Sequence, residues 1–393
     1  MKIRCALMVV VGALFKILCA DVTIAKNGAP LAFICADSAV MLSFDKTHAR
    51  LRASVEDLAY YLVKMSGASI PIVNHLPDNN DAGVPLLVGD PASRKFGGPA
   101  VHSAYAQAWR LAISRKGIGF IGESDEAVSY AIYEFLDRLG CRWYMPGDLG
   151  EVCPRWVSIS IRESDVSDTP RTIARNIWYG DEAFKRRNRL GGINLAASQT
   201  LESLLPAKVM QAHIDWNAEI NGVRSVNGRL CWANDSMAAA LSDTIIARIG
   251  RTGAPSISLS PHDGISFCQC SKCKALDAGD WDPSMGCVSI TDRYINFCNR
   301  VISRVAAVYP RELFGFVAYV QYTRPPVREK PDPRLVPKIA PITYCREHSM
   351  ADSGCPSQRQ LRGIVQGWAA NTSMLATDEY GYGGIHFTQQ PPT

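Results

Sequence analysis

Apolar and polar residues alternate with two different periods over the first part of the chain, and both predict elements of one small domain. Apolar residues recur at three- and four-residue steps through 51–65 and again through 125–139, the period of an amphipathic helix, and Ser66-Gly67 ends the first pattern. We therefore predict that residues 21–165 form an α+β domain, with helices packed on one side of a sheet. Apolar runs typical of its strands lie at 22–24, 70–73, 85–89, 109–114 and 117–122.

The second part of the chain alternates strand-like runs with helical patterns, as a barrel of parallel strands and helices does. A polar segment at 164–170 separates it from the first part. Residues 170–393 are therefore predicted to form a (β/α)8-type (TIM) barrel, which makes the whole an α/β protein. We expect a barrel truncated after about six strands, a fragment of a longer reading frame, because a closed barrel needs eight. The predicted strands are 171–180, 191–197, 256–260, 313–319, 342–348 and 371–379.

The N-terminal segment, 1–20, has the layout of a secretory signal peptide. Lys2 and Arg4 precede an apolar run that ends before small residues. Lys16 interrupts this run, and the uninterrupted part is shorter than the ~20 residues that a membrane-spanning helix needs. We expect cleavage near Ala20, export to the periplasm or out of the cell, and no membrane span in the mature protein.

The charge balance argues against a polyanionic partner. The whole chain has 42 basic and 37 acidic residues, a net charge of +5. Removal of the three basic residues of the signal segment leaves 39 basic against 37 acidic residues. A nucleic-acid-binding protein usually carries a much stronger basic excess. We therefore expect no nucleic-acid partner.

The stretch 256–273 joins a strand to residues that can do chemistry. Alternating small polar and apolar residues end at Pro261, and the loop that follows contains His262 and Asp263. Catalytic groups of α/β barrels lie at the carboxyl ends of strands and in the loops after them, which makes Asp263 the first candidate. Asp263-Gly264 is equally compatible with a simple turn, since Asp and Gly are ordinary turn residues.

Two runs carry a resemblance to a known family. Leu-Gly-Cys-Arg-Trp-Tyr-Met-Pro-Gly at 139–147 is similar to the end of the small domain that precedes the barrel in β-hexosaminidases and α-glucuronidases. Ser-x-Ser-x-x-Asp-Gly at 258–264 is followed by Phe-Cys-x-Cys-x-x-Cys at 267–273. The chain thereby resembles proteins with the domain of unknown function 4838, also classified as glycoside hydrolase family 163. The resemblance implies a glycan substrate, cleaved at N-acetylglucosamine linkages or by a related exo-activity, with no cofactor required.

Glycoside hydrolysis needs one carboxylic acid to protonate the leaving oxygen, and a second carboxylate or the substrate's own acetamide to stabilise the positive centre. The predicted strand ends supply four acids: Asp263, Glu347, Asp378 and Glu379. We predict Glu379 or Glu347 as the proton donor and Asp263 or Asp378 as the orienting carboxylate. Each of them also fits a solvated surface acid. The Asp-Glu pair resembles that of β-hexosaminidases by residue type, although theirs follows the fourth strand and this one the sixth.

A carbohydrate site also needs a polar cleft lined with aromatic side chains. A guanidinium can hold hydroxyls or a carboxylate, and an aromatic face can stack on a pyranose ring. For Arg175 and Trp178, a surface arginine and a packed tryptophan are equally good interpretations. The full set of candidates for substrate binding is Arg175, Trp178, His262, Tyr319, Tyr322 and Tyr380.

The cysteines predict a local cross-link. Thirteen are present, two of them in the signal segment, and the odd number left means that not all can pair within the chain. Cys268, Cys270 and Cys273 lie within six residues, and Cys287 is the predicted fourth ligand of a structural zinc ion. In an exported protein disulfides are the alternative. Either a zinc ion or a disulfide would fix the position of the loop that contains Asp263.

One departure from the family favours a different class of function. Family members often carry a Glu before Pro-Pro, where this chain has Arg324. Together with the missing strands, this supports the alternative of a catalytically silent carbohydrate-binding or scaffold protein.

Overall fold

The computed structural model describes residues 21–42, 47–77, 83–177, 180–226 and 228–378. The chain divides into two compact units between Ile193 and Asn194. The predicted signal peptide lies outside the described residues.

The first unit contains both predicted long helices and the strands around them. Ser124 begins the second of these helices, because its hydroxyl accepts a hydrogen bond from the N–H of Ala127. Gly67 ends the first with a φ of 76°, a conformation that other residues rarely adopt. In chain order the elements are β1 (Asp21–Lys26), β2 (Ala29–Pro30), β3 (Ala32–Ala36), α1 (Ser38–Leu42), α2 (Ala49–Ser66), β4 (Ile72–Val73), β5 (Val84–Val88), α3 (Asp90–Phe96), β6 (Trp109–Ser114), β7 (Gly117–Gly122), α4 (Asp125–Arg138), β8 (Arg142–Trp143), β9 (Glu151–Val152), β10 (Ile159–Arg162), β11 (Ser164–Asp168), β12 (Ala174–Arg175), α5 (Glu182–Arg187) and β13 (Gly191–Gly192).

A mixed sheet in the order β11-β6-β7-β5-β3-β4 forms the centre of this unit. Side chains alternate across it: Ile34 and Phe120 pack with α2 and α4 in one core, whereas Phe33 and Ile121 pack with Ala92 of α3 in another. Strands and helices thus share one core, as predicted. The expectation of helices on one side only is wrong, since α3 covers the second face.

The segment 171–193 belongs to the first unit and not to the barrel-like part. It was predicted to supply two parallel barrel strands, but β12 and β13 pair antiparallel with each other. Basic side chains tie the segment to acidic residues of the first unit: Arg186 and Arg187 contact Asp57 of α2, and Arg189 contacts Glu134 of α4. The compact unit therefore extends beyond 165, to Ile193.

The second unit is built on a sheet in the order β16-β19-β20-β21, in which every neighbouring pair is parallel. The apolar faces of its three long helices are buried in one core with this sheet. The elements are α6 (Ala207–Ala212), β14 (Glu219–Ile220), β15 (Val223–Arg224), α7 (Asp235–Thr252), β16 (Ser256–Ser258), α8 (Ser271–Ala275), β17 (Trp281–Asp282), β18 (Cys287–Val288), α9 (Thr291–Ala306), β19 (Leu313–Ala318), β20 (Leu335–Ile339), α10 (Pro356–Asn371) and β21 (Ala376–Thr377).

The strands predicted at 256–260 and 313–319 are confirmed as β16 and β19. The strand predicted at 342–348 is wrong, because those residues form turns and the parallel strand is β20. Pro337 lies in the middle of β20, opposite Phe316 of β19, and a proline inside a paired strand argues against a strand prediction. The last predicted strand is shorter than expected, since α10 continues to Asn371.

Four parallel strands place the exits of β16, β19, β20 and β21 at one edge of the sheet. This carboxyl edge is where open and closed α/β sheets bind their ligands. None of the helices in the described ranges is long and apolar enough to cross a membrane.

Candidate functional site

The loop that leaves β16 is tied to the sheet on both sides. The Ser260 hydroxyl accepts a hydrogen bond from the N–H of Val317 in β19 at 2.8 Å. The Tyr294 hydroxyl of α9 donates to the carbonyl of Leu259 at 2.6 Å. Leu201 donates its N–H to the carbonyl of Ser260 at 2.9 Å, which places the turn at 202–204 beside the loop. These hydrogen bonds therefore fix the backbone just before His262 and Asp263.

Glu202 is the buried acid beside this loop. Its Oε2 accepts a hydrogen bond from the backbone N–H of His262 at 2.7 Å and lies 3.9 Å from the Nδ1 of the same residue. The Nε2 of His262 lies 2.9 Å from the hydroxyl of Ser203. Burial raises the pKa of the Glu202 carboxyl, and the backbone N–H of His262 and the nearby charges only partly oppose this.

Arg229 also holds the backbone of His262 and Asp263. Its guanidinium donates to the carbonyl oxygen of His262 at 2.6 Å and also to that of Asp263. It lies 5.3 Å from the centre of the Phe267 ring, a cation–π distance. The carboxylate of Glu202 is 3.9 Å away. Arg229 thus fixes the peptide groups on both sides of Asp263.

Asp263 is an exposed residue at the exit of β16. One carboxylate oxygen accepts the N–H of Gly264 at 2.8 Å, and the backbone bends at 263–265. Burial, and then the negative charge of Asp263, raise the pKa of the hydroxyl of Tyr319, which follows β19.

Two of the predicted binding residues have structural roles. Tyr322 is 1% exposed and packs against Trp232, Phe267 and Tyr294, so it is a core residue and does not line a cleft. Arg175 lies in the first unit, where its guanidinium donates to Gln107, to Tyr130 and to backbone carbonyls. The prediction that these two residues contact a sugar is not supported by their surroundings.

Asp378 lies at the exit of β21, as predicted. Its N–H donates to the carbonyl of Ile339 at 2.7 Å, which continues the pairing with β20. Its carboxylate lies 3.0 Å from the Nζ of Lys338, and both side chains are half-buried. Asp378 and Asp263 are thus at the same edge of the sheet. Trp178, Glu379 and Tyr380 lie outside the described residues.

Glu347 does not lie at a strand end. It is exposed and belongs to the turns between β20 and α10. The notable contact in this loop is between the Sγ of Cys345 and the Nδ1 of His348, at 3.3 Å. The hydrogen bond with His348 lowers the pKa of the Cys345 thiol to about 7. The sequence did not predict this pair.

The three clustered cysteines come together with a fourth that was not predicted. Cys268, Cys270, Cys273 and Cys231 are all buried, and their sulfur atoms lie within 4.8 Å of one another. Cys287 lies on β18 and is not a member of this group. The choice of Cys287 as fourth ligand is therefore wrong. Cys231, which follows Leu230 just before α7, lies too far along the chain for the local cysteine spacing to show it.

Arg324, where the resemblance implied a Glu, is a paired cation. The Arg324 guanidinium makes two hydrogen bonds with the carboxylate of Asp280, at 2.6 and 3.0 Å, and both residues are half-buried. The pKa of Arg324 is raised by this pairing. Arg324 is thus neutralised by a partner within the same unit.

A family model described as domain of unknown function DUF4838 matches residues 145–392. No curated protein matches the sequence. Among solved structures, a family GH115 4-O-methyl-α-glucuronidase with specificity for decorated arabinogalactans is similar over 91% of this chain and 54% of its own, at 12% identity and a TM-score of 0.50. The chain thus spans about half the length of that enzyme.

Two family GH20 β-N-acetylhexosaminidases are also similar. The enzyme from Streptomyces coelicolor is 11% identical over 91% of this chain and 72% of its own, with a TM-score of 0.42. The enzyme from Streptomyces plicatus, in complex with Thio-NAglucal, is 11% identical over 95% of this chain and 74% of its own, with the same score.

Proposed function

Since the chain belongs to the DUF4838 family, whose model matches residues 145–392, we propose that it is a glycoside hydrolase acting on glycans that contain N-acetylglucosamine or a related sugar. The observation that carries the proposal is the exposed Asp263 carboxylate beside Tyr319, on a backbone held at the carboxyl edge of a parallel sheet. The glucuronidase of family GH115 shares the fold, which supports the hydrolase class.

In the proposed fold, β16, β19, β20 and β21 are successive strands of a (β/α)8-type barrel. Their parallel pairing in chain order supports this, as do α8 and α9 between β16 and β19 and α10 between β20 and β21.

The proposed mechanism uses the acids at the exits of β16 and β21. Asp263 or Asp378 orients the acetamido group of the substrate, whose carbonyl oxygen attacks the anomeric carbon. Glu379, the residue after Asp378, donates its proton to the leaving oxygen. Glu202 and Arg229 are positioning residues, because they hold the backbone on either side of Asp263. The Nζ of Lys338 lies 3.0 Å from the Asp378 carboxylate and forms an ion pair with it.

The test is release of sugar from N-glycans by the purified full chain and by single variants. We expect Glu379→Gln and Asp263→Asn each to lower kcat by about 100-fold or more. The matched control is Asp243→Asn, an exposed acid on α7, which should keep full activity. Equal rates for all variants, or no release by the natural protein, would contradict the proposal.

The pairing of Arg324 with Asp280 supports a second candidate, a carbohydrate-binding protein without turnover. In that case the natural protein binds glycans by calorimetry but releases no sugar. Glu379→Gln would then leave the dissociation constant unchanged.

Export remains part of the proposal. The signal-like segment 1–20 supports it, and N-terminal sequencing of the mature protein tests it. A mature protein that begins at Asp21 agrees with cleavage near Ala20, whereas retained Met1 contradicts it.

A further inference from the structure

The four-cysteine group consists of Cys231, Cys268, Cys270 and Cys273, and it joins two segments of the second unit. Cys231 lies before α7, whereas the other three lie in the loop between β16 and the end of α8. All four are no more than 5% exposed. A cross-link here connects the segment of Arg229 to the loop of His262 and Asp263.

The distances between the sulfur atoms distinguish a metal site from disulfides. The Sγ of Cys231 lies 3.8 Å from that of Cys270 and 3.8 Å from that of Cys273. A tetrahedral zinc ion with Zn–S bonds of about 2.3 Å holds its sulfur ligands about 3.8 Å apart. A disulfide requires about 2.0 Å. The spacing of the thiols therefore matches four ligands around one ion.

Groups around the sulfur atoms match the needs of bound thiolates. The N–H of Glu219 points at the Sγ of Cys268 at 3.3 Å, and the N–H of Cys273 at the Sγ of Cys270 at 3.4 Å. Four thiolates around a divalent cation leave a net charge of −2, which these donors partly compensate.

We propose that Cys231, Cys268, Cys270 and Cys273 bind one structural zinc ion. Four protein ligands close the coordination sphere, so the ion has no open position for chemistry. Its role is to hold the β16 exit loop against the segment before α7, which keeps His262 and Asp263 in place. This inference does not depend on the glycosidase proposal.

The first measurement is the metal content of the full chain, purified without chelators and then dialysed against EDTA to remove loosely bound ions. We expect one zinc per chain by plasma mass spectrometry. Replacement of zinc by cobalt should give the visible absorption of tetrahedral cobalt with thiolate ligands, which requires no variant. A protein without zinc, or one whose unreduced peptides show a disulfide among these cysteines, would overturn the proposal.

Paired variants locate the ion. Cys231→Ser should lower the zinc content and the cobalt absorption several-fold, whereas Cys287→Ser, the matched control on β18, should keep both. Equal zinc in the two variants would contradict the ligand set. If Cys231→Ser fails to fold, hydrogen exchange on the natural protein replaces it: slow removal of zinc should speed exchange in 259–275 and leave β6 and β7 unchanged. Unchanged exchange in 259–275 would contradict the structural role.

Discussion

Asp57 in the first unit and Glu202 in the second are both buried carboxyls near arginine, yet their pKa values move in opposite directions. Burial acts to raise both. At Asp57, hydrogen bonds from Arg187 and Tyr133, with the charge of Arg186, outweigh burial and lower the pKa. At Glu202 burial prevails and the pKa is raised. Proximity to an arginine therefore does not decide the charge of a buried acid.

The difference lies in where the guanidinium N–H groups are used. Arg187 gives two of them to the carboxylate of Asp57, at 3.0 and 3.1 Å, and Arg186 adds a third at 3.0 Å. Arg229 uses its donors on the carbonyls of His262 and Asp263 and stays 3.9 Å from Glu202. The N–H groups of Arg186 and Arg187 stabilise the charged carboxylate of Asp57, whereas those of Arg229 stabilise the loop at 262–263.

The largest expected effect is from Asp57→Asn. It removes the counter-charge of Arg186 and leaves Arg187 with the more distant carboxylate of Glu151, at 3.8 Å, which costs about 3 kcal/mol in free energy of unfolding. Urea denaturation of the full chain measures this, with Asp243→Asn as the exposed control, expected to change less than about 0.5 kcal/mol. Similar values for the two variants would show that the ion pairs of Asp57 with Arg186 and Arg187 are solvated. The contrast between Asp57 and Glu202 would then not hold.

Glu202 should respond differently to the same kind of change. Glu202→Gln keeps an oxygen for the N–H of His262 and removes no strong ion pair, so we expect less than about 1 kcal/mol of destabilisation. Glu202→Ala leaves that N–H without a partner and should cost about 1–3 kcal/mol. The same urea experiment gives both values. If the Gln variant is as unstable as the Ala variant, the negative charge of Glu202 contributes to the stability of the fold, which contradicts this expectation.

The smallest expected effect is in the pH dependence of these variants. The lowered pKa of Asp57 contributes stability above the pKa of the unfolded chain, about 4, and this is lost as pH falls through the folded value. The raised pKa of Glu202 does the reverse: its stability is present below about 4 and falls as pH rises through the folded value. Glu202→Gln should therefore gain stability relative to the natural protein as pH rises from 4, whereas the deficit of Asp57→Asn should shrink below 4. Urea midpoints across this pH range measure both trends, and parallel curves would contradict the assignment.

Local patterns in the sequence were sufficient for much of the fold. The period of apolar residues located α2 and α4, and apolar runs located β6, β7, β16 and β19. The sequence did not predict β20, because this strand contains Pro337. A proline has no N–H to donate to a neighbouring strand, so a proline within a run argues against a strand.

Contacts between distant segments were not visible in the sequence. Strand-end logic found Asp263 and Asp378, whose positions follow from the sheet alone. Glu202 lies in a turn that no strand pattern marks, and Cys231 is separated by α7 and β16 from the cysteines it joins. Only the folded chain brings such residues together.

The basic segment around α5 bears on how this protein is divided for study. A gene fragment ending near 165–170, where the polar linker lies, would omit Arg186 and Arg187 and leave Asp57 buried without a counter-ion. A fragment ending at Ile193 would retain them. The choice of cloning boundary thus depends on Arg186 and Arg187, which follow β11, the last strand in chain order of the six-stranded sheet.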